Sequence, residues 1–145
     1  MSKKTCALVC GLMCGAVGVV AYSAGFSQGE EKAANRVYEL RTYTTEPGRL
    51  PALNARFRDH TMRLFEKHGI RNVMYWVPVD EKLKDNTLIY VVSHASLDAA
   101  KKSWDEFVND AEWKKARDES EKDGKIVSKV DRQYMTLTDY SPAGK

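Results

Sequence analysis

Three segments of this chain place apolar or aromatic residues on both sides of an extended backbone, and that narrows the folds open to it. Successive residues of a strand point to opposite faces of a sheet. In Val37–Thr44, Tyr38 and Leu40 point one way while Val37 and Tyr43 point the other. In Val73–Val77, the set Val73, Tyr75 and Val77 opposes Met74 and Trp76. In Thr87–His94, Leu88, Tyr90 and Val92 oppose Ile89 and Val91. A sheet that is apolar on both faces needs cover on both.

The segments between the strands supply cover for one face. Glu46-Pro47-Gly48 breaks the first strand. From Arg49 to His68, Leu50, Leu53, Phe57 and Leu64 recur at helical spacing, and Gly69 stops the run. Asp80–Asn86 is a charged turn. Ser96 suits the N-cap of a helix carrying Leu97, Ala100, Trp104 and Phe107. Asp110 suits the cap of a further segment, Ala111–Lys122, that Gly124 ends. Ile126–Leu137 reads as the last strand. The order is β-α-β-β-α-β, the ferredoxin-like plan of the α+β class. Right-handed crossovers put the helices on one face. The simplest cover for the bare face is a second copy, which closes a two-chain barrel, so a homodimer is expected.

The first residues read as an export leader (1–27). Lys3 and Lys4 precede an uncharged run, and small residues come after it at Ala21, Ser23, Ala24 and Gly25. The expected address is exported, periplasmic or extracellular. The alternative is an uncleaved membrane anchor, because the uncharged stretch is long enough to span a bilayer. Polar residues 28–35 read as a linker, and 36–142 as one domain. All three cysteines lie in the leader, so the domain has no disulfide, thiol nucleophile or cysteine-held metal. Removing Lys3 and Lys4 from the 23 Lys and Arg leaves 21 against 20 Asp and Glu. These charges are interspersed, which argues against nucleic acid as a partner and against an anionic membrane surface.

Seven short motifs succeed one another through the domain. They are Tyr38-Glu39-Leu40-Arg41-Thr42-Tyr43, Pro47-Gly48-Arg49, His60-Thr61, Lys67-His68-Gly69, Leu88–His94, Ser103–Phe107 and Thr138-Asp139-Tyr140-Ser141-Pro142. In this order and spacing they resemble the NIPSNAP family over Arg36 to Pro142. The resemblance implies a dimeric α/β barrel and no settled activity. The family's animal members are linked to mitochondria and vesicle traffic. The leader and the single domain set this chain apart from them and point to a bacterial, exported relative.

Candidate site residues are polar side chains set among apolar ones. Glu39, Arg41 and Tyr43 share a strand face. Two readings stand: a Glu39–Arg41 pair that satisfies itself, or a polar patch where Arg41 holds an anion and Tyr43 donates a hydrogen bond. His60 falls on the helix face bearing the apolar stripe. It is a half-buried, hydrogen-bonded histidine or a pocket base. His94 ends the third strand on the Leu88/Tyr90/Val92 face and carries the same two readings. Met74 and Trp76 are pocket walls or dimer-interface residues. Trp104 is read as core and His68 as a cation closing its helix. A metal set of His60, His94 and Glu39 lacks the usual spacing, so no metal is expected. No phosphate loop, nucleophile motif or paired-carboxylate signature is present, and no cofactor is named. The expected function is a homodimeric module binding a small apolar or aromatic ligand or a partner chain. The alternative is an enzyme of the cofactor-independent monooxygenase, isomerase or haem-handling kind that similar barrels host, with His60 or His94 as base.

Overall fold

Strand residues and helix caps together lay out the chain. The computed structural model describes residues 36–142; the expected leader and linker lie outside the described residues. Val37–Thr45 (β1), Arg71–Trp76 (β2), Thr87–His94 (β3) and Val127–Met135 (β4) form a four-stranded sheet in the order β2-β3-β1-β4, and each paired neighbour is antiparallel. That is the ferredoxin-like topology of the dimeric α/β-barrel proteins. Leu50–Arg56 (α1) and Met62–Lys67 (α2) belong to one helical rod. Leu97–Asn109 (α3) and Ala111–Ser120 (α4) complete the helical layer.

The caps behave as their chemistry requires. The Ser96 hydroxyl accepts the Ala99 N–H at 3.1 Å and starts α3. Asp110 starts α4, its Oδ1 accepting from Glu112 N at 2.7 Å and Trp113 N at 3.1 Å. Its Oδ2 takes Lys67 Nζ at 2.6 Å and His68 Nε2 at 2.8 Å. One carboxylate thus ties the end of α2 to the start of α4. The Lys67 and His68 hydrogen bonds hold it well below the usual carboxylate range. His68, expected only as a terminal cation, has a defined partner.

The register sorts the strand residues. Glu39 lies opposite Val92, Arg41 opposite Tyr90 and Tyr43 opposite Leu88. This face meets the helices through Leu50, Leu53, Phe57, Leu64, Phe65 and Phe107, all buried. The opposite face carries Tyr38, Leu40, Ile89 and Val91, each only partly buried. Met74 and Trp76 on the same face are 56% and 46% exposed. The helices therefore cover one face only.

Two local features depart from the sequence reading. Strand β2 starts at Arg71, two residues before the expected Val73, and a bulge between Asn72 and Met74 breaks its alternation. Val73 and Val77, expected beside Tyr75 on one face, are exposed at 40% and 42%. A bulge adds a residue on one strand, which throws Val73 out of phase with Tyr75, while Val77 lies past the strand's end at Trp76. The second feature lies in the first helix, where Phe57–Thr61 is a π-helical turn between α1 and α2. Its hydrogen bonds span five residues, as in Met62 N–H to Phe57 O. The Thr61 hydroxyl donates to the Arg56 carbonyl at 3.1 Å within the same turn. The looser winding changes the angle at which later side chains leave the rod. Phe65 enters the core at 1% exposure, and His60, expected on the apolar stripe, becomes exposed.

Candidate functional site

A buried carboxylate organises the helix-covered face. Glu39 sits in the middle of β1, the sheet's central strand beside β3, with 0% exposure. Arg41 Nη1 donates to its Oε1 at 2.7 Å. Trp104 Nε1, from α3, donates to Oε2 at 2.6 Å, and His94 Nε2, from β3, lies 3.1 Å from the same oxygen. Burial works to raise the Glu39 carboxyl. The His94 hydrogen bond, the Arg41 charge and the Trp104 N–H outweigh it, and the group lies below its ordinary value. An ionised carboxylate only accepts, so His94 Nε2 must carry the proton in that contact.

Arg41 is held from three sides. Its guanidinium lies 4.2 Å from the centre of the Trp104 ring and 5.5 Å from that of Tyr43. Nη2 donates to the Tyr43 hydroxyl at 3.2 Å. Burial opposes its charge, but Tyr43, Tyr90 and Glu39 raise it, and Arg41 stays protonated.

Aromatic rings extend this cluster across the sheet. Tyr90, opposite Arg41, is fully buried. Tyr75 stacks on it with centroids 5.2 Å apart, and Phe57 and Tyr43 meet its ring edge to face at 5.2 and 5.3 Å. Burial pushes the Tyr90 hydroxyl well up. The Tyr43 hydroxyl acts on it through charge and through a weak hydrogen bond that falls short of good geometry. Tyr90 Oη and His94 Nδ1 are both buried without a hydrogen bond of good geometry among the described residues. Such groups cost free energy and call for an explanation in a native fold. Between the π turn and the strands lies a cavity of about 200 Å³ lined by Asn54, Phe57, Arg58, Met62, Tyr75 and Leu88. Two of its walls, Phe57 and Tyr75, are the rings that pack on Tyr90.

The structure therefore brings together Glu39, Arg41, Tyr43 and His94 of the expected site residues. It sets Met74 and Trp76 on the opposite face of the sheet, and His60 on the far side of the first helix, against α4. Sequence reasoning missed the parts played by Trp104, Tyr90, Tyr75 and Phe57. Trp104 reads as core from its helical spacing, and only the tertiary fold brings its indole N–H to Glu39. Among the described residues, no three His, Cys, Asp or Glu side chains converge as metal ligands would. No described helix is long and apolar enough to cross a membrane.

Comparison with known proteins bears on the same fold. No curated protein sequence matches the chain. A NIPSNAP family protein of unknown function from Agrobacterium tumefaciens superposes with a TM-score of 0.63 at 21% identity, over 76% of this chain and 95% of that one. A NIPSNAP-like domain protein from Burkholderia xenovorans gives 0.64 at 13% identity, over 75% and 90%. SnoaB, a cofactor-independent oxygenase from Streptomyces nogalater, gives 0.51 at 14% identity, over 75% and 99%. At these identities the likeness is one of fold. The NIPSNAP sequence profile matches residues 38–142, nearly all of the described chain, and with that match the chain belongs to the NIPSNAP family.

Proposed function

We propose that this protein is a homodimeric binding protein for a small oxygenated aromatic molecule, held between its first helix and the covered face of the sheet. The observation that carries the reading is the cavity of about 200 Å³ whose aromatic walls continue into Tyr90, a buried tyrosine whose hydroxyl has no hydrogen bond of good geometry among the described residues. An enclosed apolar cavity of about 150 Å³ accepts a benzene ring; this hollow opens to solvent beside Arg58 and Met62, and its volume suits one ring with small substituents. The ring would lie among Phe57, Met62, Tyr75 and Leu88, and its oxygen would accept the Tyr90 O–H. Arg41, beyond Tyr90, favours a phenolate or carboxylate oxygen on that side.

Tyr90→Phe tests this through two opposite signs. Removing an unpartnered buried hydroxyl raises the stability of the ligand-free protein by about 1 kcal/mol. The same change weakens the ligand about tenfold, the loss of one hydrogen bond. The ligand is found by mass spectrometry of protein purified from its native host. A bound aromatic retained by wild type and lost in Tyr90→Phe supports the reading. Equal retention by both contradicts it.

A second reading, catalysis, is favoured by one contact. Glu39 holds the His94 ring through Nε2, and in this reading Nδ1 serves as the base. SnoaB, of similar fold, is a cofactor-independent oxygenase. If the protein transforms its ligand, His94→Ala abolishes turnover while Tyr90→Phe mainly weakens binding. Unchanged turnover in His94→Ala removes His94 from the chemistry.

A further inference from the structure

The π turn opens a second site on the other side of the first helix, and its charges define what it can hold. The interface between this helix and α4 is closed at both ends by polar contacts. At one end Arg49 Nη2 reaches Ser120 O at 3.1 Å, and Arg56 Nη1 reaches Ser120 Oγ and Glu121 Oε1, each at 3.2 Å. At the other end Arg63 pairs with Glu112, and Lys67 and His68 with Asp110. Between the two ends small side chains leave open space along the helix pair. Cavities of about 300 Å³ and about 270 Å³ lie side by side there and share His60, Ala116 and Glu119 as lining. The floor is made of alanines 52, 55 and 116. A straight α-helix would have turned His60 toward the core, whereas the π turn sets it at this slot.

The charges around the slot are unlike those along the rest of the interface. Glu112 and Glu119 are committed, to Arg63 and Lys122. Asp59 on the helix and Lys115 on α4 make no ion pair or hydrogen bond among the described residues, and each lines one of the cavities. Arg56 lines the first cavity with a side chain only 4% exposed, and its Nε–H has no acceptor. The slot therefore offers an uncommitted anion, an uncommitted cation, the positive charge of a buried guanidinium, and an apolar floor. A simple anion meets Asp59 and Glu119, and a simple cation meets Arg56 and Lys115. A molecule carrying both charges meets each with its complement.

We propose that the slot between the π turn and α4 binds a small zwitterion of the α-amino-acid type. Its ammonium pairs with Asp59, its carboxylate with Lys115 and the Arg56 edge, and its side chain rests on the alanine floor. His60 closes one wall. This site is separate from the aromatic cavity and stands whether or not that reading holds.

The test is an NMR titration of the purified, isotope-labelled chain. The probes are glycine and leucine as zwitterions, acetate and ethylamine as their single-charge halves, and glycerol as a neutral control. Saturable shifts at His60, Ala116 and Ser120 with the two amino acids are expected. Responses to acetate and ethylamine are expected to be at least about tenfold weaker, because each lacks one charge-assisted contact. Asp59→Asn and Lys115→Met each weaken the amino acid about tenfold and leave the melting temperature unchanged, since neither side chain has a partner to lose. The proposal is overturned if no amino acid saturates at millimolar concentration. It is also overturned if acetate or ethylamine binds as well as glycine, or if both variants bind like wild type.

Discussion

Glu39 shows how a single side chain ties this domain together. Its two oxygens take Arg41 from the same strand, His94 from β3 and Trp104 from α3. Replacing it by glutamine leaves the Arg41 charge, 11% exposed at the side chain, without its counter-ion. Loss of one partner of a buried pair costs about 3 kcal/mol, so urea unfolding of Glu39→Gln is expected to show a loss of that size. The pH dependence has a definite sign. A carboxylate held below its unfolded value, about 4.3, contributes stability that is full above that pH and is lost as pH falls through the folded value. Asp110, also held low, acts in the same direction. Wild-type stability should therefore decline below about pH 4.3, and Glu39→Gln should flatten that decline. A steeper decline in the variant contradicts the network. The Glu39–Arg41 pairing is legible in the sequence, because residues two apart share a strand face. The Trp104 and His94 contacts are not, because they join elements 65 and 55 residues away.

The elements were legible to different degrees, for reasons of local chemistry. β-branched and aromatic residues mark β1 and a continuous apolar run marks β3, and Ser96 and Asp110 announce their helices because a side-chain acceptor at that position satisfies N–H groups the helix leaves free. Ser96→Ala is expected to cost about 1 kcal/mol of stability in the same urea assay. The π turn left no comparable mark, since Phe57 and Leu64, seven residues apart, suit a regular α-helix equally well. Yet that turn decides where His60 points and opens a cavity on each side of the rod. A π turn amounts to one extra residue in an α-helix. Deleting the exposed Arg58 should thus let the flanking α1 and α2 join as one α-helix. The expected product is a folded protein with native circular dichroism, a melting temperature within a few degrees of wild type and no binding at either cavity. Deleting Lys101 from α3, which has no π turn to absorb the change, should unfold the protein. Equal damage from both deletions contradicts this account of the turn.

At the scale of the whole molecule, the sheet remains half covered. Tyr38, Leu40, Met74, Trp76, Ile89 and Val91 form an apolar layer that no described helix covers. Single exposed apolar residues are ordinary, but a continuous layer on a sheet marks an interface. This layer was readable from the double-sided alternation alone, while the occupant of the face was not, because one chain's sequence carries no direct record of its neighbours. The proposed occupant is a second copy, which closes the face opposite the proposed aromatic cavity. Trp76→Asp, placing a charge within such an interface, is expected to yield folded monomers. Sedimentation equilibrium of the 36–142 domain at micromolar concentration tests the assembly most directly. A mass twice that of the chain for wild type, falling to that of one chain in Trp76→Asp with native circular dichroism, is the predicted result. A well-folded wild-type monomer at the same concentration contradicts it.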